Sequence, residues 1–371
     1  MKTQAAALFE IPGRWQVVEL DLDEPKDHEV RVRWEYAGLC HSDEHSATGD
    51  MPVVQKPFVG GHEGAGIVEA VGDKVSYVSP GDHVTAKFVP SCGRCPSCTG
   101  GNMNLCDLGM FALMGCLEDQ TYRLHHEGTD AGQMCMLGTF SNYGVVSENS
   151  ICKIPEDVPL DVAALVSCGV ATGWGSAARG ANLKYGDTVI IMGCGGVGIN
   201  AVQGAAALGA AYVIACDPVE FKRETALRLG ATHAFAGIEE AADFARLVTN
   251  GQGANAVIEC IGVLKPEHIA QAVSAIAKLG TVVVTGIGDA NEVGAPVNFW
   301  ELAMMQKRIQ GVIFGMGNPE HEIVRLLGMY KAGKLKLDEL ITNRYKLDQI
   351  NDAYTDMYEG RNIRGVVEHQ H

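Results

Sequence analysis

The sequence has little positive charge, few aromatic residues and no uninterrupted hydrophobic run of membrane length. Lysine and arginine number 29 against 45 aspartates and glutamates, which gives a formal net charge of −16. Because an acidic protein is repelled by phosphate backbones and anionic lipids, we expect neither nucleic acid nor a membrane as a partner. Aromatic residues make up 6% of the chain, whereas glycines number 45. This balance predicts many tight turns and an α/β fold.

Neither a membrane-spanning helix nor a signal peptide is expected. Residues 188–216 carry no charge, but glycines interrupt them, and they contain Asn200 and Gln203. We interpret this stretch as a buried strand, a glycine turn and a buried helix. The apolar run at 5–9 is too short for the core of a signal peptide. We therefore expect a cytoplasmic protein whose twelve cysteines stay reduced, so that clustered cysteines bind metal.

Length and pattern predict two domains. The chain has 371 residues, more than the ~100–200 of a typical domain. Residues 1–169 contain short β-strands and long loops. Residues 170–313 alternate strands with helices, which implies a parallel sheet with right-handed crossovers; one of these helices is predicted over 268–278. Residues 314–371 return to a mixed pattern, and we assign them to the first domain.

A glycine-rich turn predicts a dinucleotide site. It follows an apolar strand, opens a helix and consists of Gly193, Cys194, Gly195, Gly196, Val197 and Gly198. Glycines allow a tight turn and let backbone N–H groups approach a pyrophosphate. Asp217, nineteen residues after Gly198, can bind ribose hydroxyls and would repel a 2′-phosphate, which favours NAD. Lys222 is a candidate beside the same ribose. The alternative is a packing turn with Asp217 as a helix cap.

Four closely spaced cysteines predict a metal site. Cys92, Cys95 and Cys98 lie within a loop containing glycine and proline, and Cys106 follows eight residues later. Four thiolates can enclose Zn²⁺ in a tetrahedron with no open position, so this site would be structural. An iron–sulfur cluster is the alternative for the same ligand type.

A second possible metal set is dispersed along the chain. Cys40, His62 and Cys168 lie in the segments GLCHSDEH, GGHEGAG and SCGVATG. Together they could supply two thiolates and one imidazole. Each residue taken alone would be interpreted as part of the core.

These segments carry a resemblance to a known family. With CGVATGWGSA, GCGGVG and NIRGVV, they make the whole chain similar to the zinc-dependent alcohol dehydrogenases of the medium-chain dehydrogenase family. HSDEH, DLG, MCMLGTFSNY and DPVEFKRE are similar to its nicotinoprotein, or NDMA-dependent, subgroup. The resemblance implies a Rossmann doubly wound parallel sheet over 170–313. It also implies a β-rich GroES-like catalytic domain over 1–169, with the structural zinc loop, completed by 314–371.

The resemblance also implies roles for individual residues. Cys40, His62 and Cys168 match the catalytic zinc ligands, so that the chain would hold two Zn²⁺ ions, and Asp43 matches a carboxylate that orients His62. The other matches are Glu63 as an acid beside the zinc, Ser42 and His45 as a proton relay, His41 and Arg364 at the pyrophosphate, Thr172 as a cofactor contact beside the substrate pocket, and Phe88 and Phe140 in that pocket. The alternatives without a catalytic or binding role are a turn hydroxyl for Ser42, a surface histidine for His45, and core packing for Phe88, Phe140 and Thr172.

The function implied is oxidation of an alcohol to an aldehyde or ketone by hydride transfer to NAD, and the reverse. In the subgroup, NAD stays bound and an external electron acceptor can reoxidise it. The alternatives are a thiol-dependent formaldehyde dehydrogenase and, from another class, a non-catalytic zinc-stabilised nucleotide-binding protein. The resemblance further implies a homodimer or homotetramer, with strands near 298–314 pairing between subunits.

Overall fold

A computed structural model describes all residues, Met1–His371, which form two compact units. The first unit comprises Met1–Cys168 and Asn318–His371, and the second comprises Gly169–Gly317. The sequence placed the two boundaries after residues 169 and 313, one and four residues from these positions. The chain therefore leaves the first unit once and returns to it.

The first unit contains a closed five-stranded barrel and a seven-stranded sheet. In pairing order, the barrel strands are β1 (Lys2–Leu8), β2 (Gln16–Leu22), β7 (Leu124–His126), β8 (Thr129–Gln133) and β4 (Phe58–Val59). The sheet runs β10 (Ile151–Lys153), β6 (His83–Ala86), β5 (Glu63–Val71), β3 (Glu29–Gly38), β18 (Arg364–Glu368) and β17 (Ile341–Tyr345), with β9 (Tyr143–Ser147) also paired to β3. This is the β-rich architecture expected of a GroES-like domain.

Strand β3 shows why the sheet forms where it does. Its sequence, EVRVRWEYAG, alternates apolar with charged residues, so that Val30, Val32 and Trp34 are fully buried. Arg31 and Arg33 lie on the other face and stay partly exposed. Such alternation with a period of two is the pattern of a half-buried strand. Because β3 pairs with β5 and also with β9 and β18, it lies at the centre of the sheet.

Four of the five helices of the first unit have nine residues or fewer: His41–Thr48, Pro96–Thr99, Leu160–Leu165 and Ile350–Tyr358. The fifth, Pro319–Lys331, has 13. Short 3₁₀ turns lie at Met103–Leu105, Asp107–Phe111, Met134–Met136, Glu148–Ser150, Asp338–Leu340 and Leu347–Gln349. The C-terminal segment adds β17 and β18 to the sheet, with β18 antiparallel to β3. This pairing brings Arg364, the first residue of β18, to the end of β3 where Cys40 follows.

The second unit is a six-stranded parallel sheet of the Rossmann type. Its order is β13 (His233–Phe235), β12 (Tyr212–Cys216), β11 (Thr188–Met192), β14 (Ala254–Glu259), β15 (Ile276–Val284) and β16 (Arg308–Gly311). The helices are Gly198–Ala207, Glu220–Arg228, Ile238–Val248, Pro266–Ala275 and Phe299–Met304, with a 3₁₀ turn at Phe314–Met316. All five residues of β11 are buried, as in parallel sheets covered on both faces. The doubly wound fold class is thus confirmed.

Two local predictions in this unit are correct only in part. The helix predicted over 268–278 exists as Pro266–Ala275, but β15 already begins at Ile276, which pairs with Ala254. Strands were expected near 298–314, and one strand, β16, lies there, preceded by the helix Phe299–Met304. Asn298 caps that helix, since its side-chain oxygen accepts the N–H groups of the second and third residues beyond it.

A long helical segment, Leu160–Gly180, links the two units in sequence. The segment is long and apolar enough to cross a membrane, but 89% of its most apolar 18-residue stretch is buried within the protein. We therefore interpret it as a core helix. It contains two π-helical turns, Val166–Val170 and Ser176–Gly180. Such turns often occur at functional sites, and the first of them carries Cys168.

Candidate active site and zinc centres

The first cluster of metal-binding side chains joins three distant parts of the first unit. Cys40, His62, Glu63 and Cys168 each offer one ligand atom, and these atoms all lie within 4.8 Å of one another. Cys40 follows β3 and caps the helix His41–Thr48. His62 and Glu63 lie at the start of β5. The three residues predicted as catalytic zinc ligands are therefore brought together, with Glu63 as a fourth member.

Asp43 fixes the imidazole of this cluster. Its Oδ1 lies 3.0 Å from His62 Nδ1 and accepts the backbone N–H of Gly61 at 2.9 Å, and the side chain is fully buried. Its Oδ2 accepts the backbone N–H of Cys40 at 3.3 Å, as in a capping box. With Nδ1 engaged by a carboxylate, Nε2 is left as the metal-binding atom, which is the usual arrangement for a histidine ligand.

Gly61 is a functional residue that sequence reasoning missed. Its φ of +90° lies in the left-handed region, and a Cβ there would stand 2.5 Å from the backbone nitrogen of Phe140. Only glycine therefore fits between Asp43 and the 138–142 segment. The signal was present as the doublet Gly60-Gly61 before His62, but a doublet alone does not show which glycine needs the unusual backbone.

The electrostatics of the cluster suit a cation. A hydrogen bond from Cys168 holds the pKa of the Cys40 thiol well below its ordinary value, despite burial. The same bond and burial raise the pKa of Cys168 well above its ordinary value. Burial lowers the pKa of His62, but Asp43 and Cys40 outweigh it and hold that pKa well above 6.5. Negative charge is thus concentrated where water is scarce, and Zn²⁺ binding would allow both thiols to ionise.

Glu63 leaves one oxygen without a partner beside the cluster. Burial raises the pKa of Glu63 to about 7, although the Arg364 guanidinium opposes this shift. Its Oε2 contacts Arg364 Nη2, whereas Oε1 is buried and makes no hydrogen bond. Because one carboxylate oxygen of Glu63 belongs to the cluster and Oε1 has no partner, Glu63 fits a transient contact with a metal ion held by Cys40, His62 and Cys168. Arg364, predicted at the pyrophosphate, is 4% exposed and pairs with Glu63, a contact that the sequence did not indicate.

The predicted relay residues lie on the helix His41–Thr48. The Cys40 thiol is 3.6 Å from the Ser42 hydroxyl. His45 is buried, with 2% of its side chain exposed, and its Nδ1 lies 2.9 Å from Asp50 Oδ2. His45 is therefore not a surface histidine. The ring of His41 lies 6.0 Å from that of His45 and 5.6 Å from that of Tyr358.

The residues predicted near the substrate or cofactor have different surroundings. The Phe88 ring meets the His62 ring edge-on, with the centroids 5.7 Å apart. Phe140 is fully buried in the core and packs edge-on against Trp15 at 5.7 Å. Thr172, in the second unit, is 8% exposed, and its hydroxyl makes no hydrogen bond. Their roles towards substrate and cofactor remain predictions.

The four-cysteine set forms a second, closed cluster. Cys92 and Cys98 have their sulfurs 3.9 Å apart, as do Cys95 and Cys106. A tetrahedral Zn²⁺ with Zn–S bonds of 2.3 Å places sulfurs about 3.8 Å apart. All four sulfurs lie within 4.8 Å of one another, which suits one tetrahedral ion better than an iron–sulfur cluster, whose thiolates bind different irons. The geometry thus fits a structural zinc.

Backbone N–H groups prepare this cluster for negative charge. The N–H of Asp107, then that of Cys98, lower the pKa of the Cys95 thiol to about 7. Burial instead raises the pKa of Cys106 to about 12. Burial also raises the pKa of Cys98. The loop itself therefore stabilises a thiolate at Cys95, whereas Cys98 and Cys106 need a cation to ionise.

The glycine turn of the second unit has the geometry of a phosphate-binding loop. Gly193 adopts φ of +86°, and a Cβ there would stand 2.8 Å from the carbonyl of Cys260. A Cβ on Gly198 would clash with the carbonyl of Gly193, whereas a Cβ on Gly195 would meet nothing within 4 Å. The first and third glycines thus serve the turn and its packing, and the second keeps the backbone open to a ligand.

Asp217 joins this turn to the end of β12. It is 5% exposed; Oδ2 accepts the N–H of Cys194 at 2.8 Å and Oδ1 that of Val219 at 2.9 Å. The packing role considered for Asp217 is therefore real, and each oxygen keeps a second lone pair for a ligand. Lys222 is the third residue of the helix Glu220–Arg228. Arg223, which the sequence did not single out, donates to the carbonyls of Asp217 and Pro218, both at 2.8 Å.

Comparison with known proteins agrees with both units. The alcohol dehydrogenase GroES-like domain matches residues 26–156, and the zinc-binding dehydrogenase family matches residues 196–330. The chain is 50% identical to putative alcohol dehydrogenase D of Mycobacterium tuberculosis, over 100% of both chains. It is 47% identical to the NDMA-dependent alcohol dehydrogenase of Amycolatopsis methanolica, over 100% of this chain and 99% of that protein.

Solved structures show the same relationship. The benzyl alcohol dehydrogenase of Acinetobacter calcoaceticus matches with a TM-score of 0.91 at 29% identity, over 100% of both chains. The two candidate metal clusters and the glycine turn therefore occur in a chain whose full-length relatives at 47–50% identity are named alcohol dehydrogenases. The protein belongs to the zinc-dependent alcohol dehydrogenases of the medium-chain dehydrogenase family, and it resembles the NDMA-dependent subgroup.

Proposed function

We propose that this alcohol dehydrogenase uses NAD as hydride acceptor and two Zn²⁺ ions per chain, one catalytic and one structural. The observation that carries the proposal is the cluster of Cys40, His62 and Cys168, with His62 held by the buried Asp43. Three protein ligands on zinc leave a fourth position for substrate oxygen. Cys92, Cys95, Cys98 and Cys106 would form the structural site.

The zinc and the residues around it would divide the work of the reaction. When bound, the catalytic zinc supplies a Lewis acid for the alcohol oxygen. Asp43 keeps the imidazole of His62 in one tautomer and orientation. Ser42, beside Cys40, and His45, paired with Asp50 at 2.9 Å, are placed on one helix to carry the alcohol proton away. The hydrogen bond with His45 holds the pKa of Asp50 below its ordinary value, so Asp50 faces the His45 ring as a carboxylate.

The second unit would hold the nicotinamide cofactor. The open backbone at Gly195 and the helix beginning at Gly198 suit a pyrophosphate. The remaining lone pairs of Asp217 suit the ribose hydroxyls. Lys222 remains a candidate for contact with the same ribose. His41 and Arg364, of the first unit, remain candidates for the phosphates, and Thr172 for the nicotinamide side. Phe88 and Phe140 remain candidates for the substrate pocket.

Changing Asp217 to glycine should weaken NAD use and relax discrimination against NADP. Removing hydrogen bonds to a charged group costs roughly 1.5–3 kcal/mol, so we expect the Kd for NAD to rise about 10-fold or more. The carboxylate that repels a 2′-phosphate is also lost, so the preference for NAD over NADP in binding should decrease. Titration of cofactor-free protein with each nucleotide measures both effects, whether or not NAD exchanges during turnover.

Two further variants separate charge from structure at this position. Asp217→Asn removes the charge and keeps one acceptor oxygen, enough for the N–H of either Cys194 or Val219 but not for both. It should relax cofactor choice with less structural damage than the glycine variant, which keeps neither acceptor. Arg223→Ala in the glycine variant should reduce the gain with NADP, because Arg223 lies on the Asp217 backbone. A wild-type enzyme that uses both cofactors equally well would contradict the role assigned to Asp217.

We also propose that NAD remains bound through both half-reactions. The support is the likeness to the NDMA-dependent relative and the subgroup segments, since the glycine turn and Asp217 serve exchanging enzymes equally well. Retention requires a very slow off-rate. Protein purified without nucleotide and then denatured should release about one nicotinamide per chain. Protein that emerges empty, with turnover saturable in added NAD, would show a conventional exchanging dehydrogenase.

A cytoplasmic homodimer or homotetramer completes the proposal. Strand β16 is an edge strand of the parallel sheet and pairs only with β15. The adjacent helix exposes Phe299 by 80% and Trp300 by 74%. An unpaired edge beside exposed aromatic side chains suits pairing with a second copy of the chain.

A further inference from the structure

Tyr354, in the helix Ile350–Tyr358, has a buried hydroxyl that makes no hydrogen bond in the structure. The residue is 3% exposed, and its Oη has no partner among protein atoms. Buried polar groups are nearly always hydrogen-bonded, so each exception requires an explanation. The explanation lies in what surrounds this side chain.

The ring of Tyr354 is held in place by two other aromatic residues. It stacks on Trp15 at 6.4 Å with an interplanar angle of 26°, and it meets Phe140 edge-on at 6.5 Å. Phe140 in turn packs on Gly61, where a Cβ would stand 2.7 Å from the phenyl ring. Gly61 donates its N–H to Asp43. Tyr354 therefore packs on Phe140, and Phe140 packs on the glycine that holds this carboxylate.

Charged groups near the hydroxyl identify its acceptor. Burial, then the negative charges of Asp43, Glu44 and Cys40 and a contact of the hydroxyl with the Asp43 side chain, hold the pKa of Tyr354 well above 10, so the hydroxyl remains a donor. This contact falls short of hydrogen-bond geometry in the structure. Burial raises the pKa of Glu44, and the hydroxyl of Tyr358, which lies against the same carboxylate, opposes this shift, so Glu44 already has a hydroxyl donor of its own. Asp43 has room, because its Oδ2 accepts only the long 3.3 Å bond from Cys40.

We propose that the Tyr354 hydroxyl donates a hydrogen bond to Oδ2 of Asp43 in the zinc-loaded enzyme and fixes the carboxylate that orients His62. Tyr354 is thus a positioning residue that acts on the catalytic zinc through Asp43 and His62. The inference rests on the proposed function, since it presupposes zinc at Cys40, His62 and Cys168. With this bond Asp43 would have three kinds of partner: the imidazole of His62, the backbone N–H groups of Cys40 and Gly61, and the hydroxyl of Tyr354.

The test is the rate at which a chelator removes each zinc from Tyr354→Phe. Outer partners of zinc ligands change metal affinity or activity by about 10–100-fold, and Tyr354 is one bond further out. We therefore expect the catalytic zinc to leave roughly 3–10-fold faster, with kcat lowered, while the structural zinc leaves at the wild-type rate. The structural zinc serves as an internal control for general loosening.

Tyr345→Phe is the matched control variant. Tyr345 is 9% exposed, belongs to the same unit, and donates its hydroxyl to Asp356 Oδ2 at 2.7 Å. It should lose comparable stability without changing either zinc release rate. Equal catalytic-zinc release from Tyr354→Phe, Tyr345→Phe and wild type would overturn the inference. So would faster release of both zincs from Tyr354→Phe, which would show a structural role only.

A crystal structure of the zinc-loaded wild type gives a second, independent measurement. Tyr354 Oη within about 3.2 Å of Asp43 Oδ2 is the expected result. A hydroxyl directed to water or Glu44 instead would overturn the inference. Failure of the proposed function looks different, because wild-type protein would then lack the second zinc or the oxidation of alcohols, whatever the state of Tyr354.

Discussion

Replacing Cys168 by serine should abolish alcohol oxidation and leave the protein folded. The substitution removes one of three protein ligands at the catalytic cluster, and a serine hydroxyl is a much poorer zinc ligand than a thiolate. Lewis-acid assistance is worth several kcal/mol, so we expect kcat/KM to fall by about 10³-fold or more. Circular dichroism and thermal melting should remain close to wild type, and one zinc per chain should remain.

Cys116→Ser is the matched control for this variant. Cys116 is buried, at 2% exposure, and belongs to neither cysteine cluster. Its serine variant carries the same chemical change and should keep both zincs and most of the activity. Full activity in Cys168→Ser would contradict the assignment of the catalytic site.

Replacing Cys95 by alanine should destabilise the whole protein. Cys95 is in contact with Cys106 at 3.9 Å, and its sulfur accepts the N–H groups of Cys98 and Asp107 at 3.4 and 3.5 Å. Losing it opens a closed zinc site whose binding free energy is also folding free energy. Loss of a structural metal belongs to the most damaging class of substitutions, so we expect roughly 4 kcal/mol or more of lost stability. Soluble yield and urea unfolding measure it.

Ser97→Ala in the same loop is the control for Cys95→Ala. Ser97 is partly exposed, and its hydroxyl donates to Asp107 Oδ1 at 3.2 Å, so its loss should change stability little. A Cys95→Ala protein that folds normally, stays active and retains two zincs would show that the four cysteines do not form the structural site.

Short-range spacing made much of the candidate site predictable. The cysteines at 92, 95, 98 and 106 share one loop, and the glycines at 193, 195 and 198 share one turn, so that local sequence determines their geometry. The alternation in β3 and the apolar β11 likewise predicted a β-rich unit and a parallel sheet. Cys40, His62 and Cys168 could be grouped only through family resemblance, because their proximity depends on the fold.

What the sequence did not predict depends on long-range packing or on local competition. Glu63 and Arg364 meet because β18 pairs with β3, and nothing near either residue announces that contact. Tyr354 reaches the surroundings of Asp43 because its helix packs on Trp15 and Phe140, which are also distant in sequence. The end of the helix at Ala275 was misplaced because Ile276 suits either structure locally, and its pairing with Ala254 decides for the strand.

The most direct test of the account is the zinc content of the purified enzyme, measured together with its alcohol dehydrogenase activity. The account predicts two zincs per chain. Brief chelation should remove one of them and abolish activity, and added Zn²⁺ should restore both. Two observations lead to this prediction. The sulfurs of the four-cysteine cluster have the spacing of a tetrahedral zinc site, and Asp43 holds the imidazole of His62 at the other cluster. A fully folded and fully active chain that contains only one zinc would contradict it.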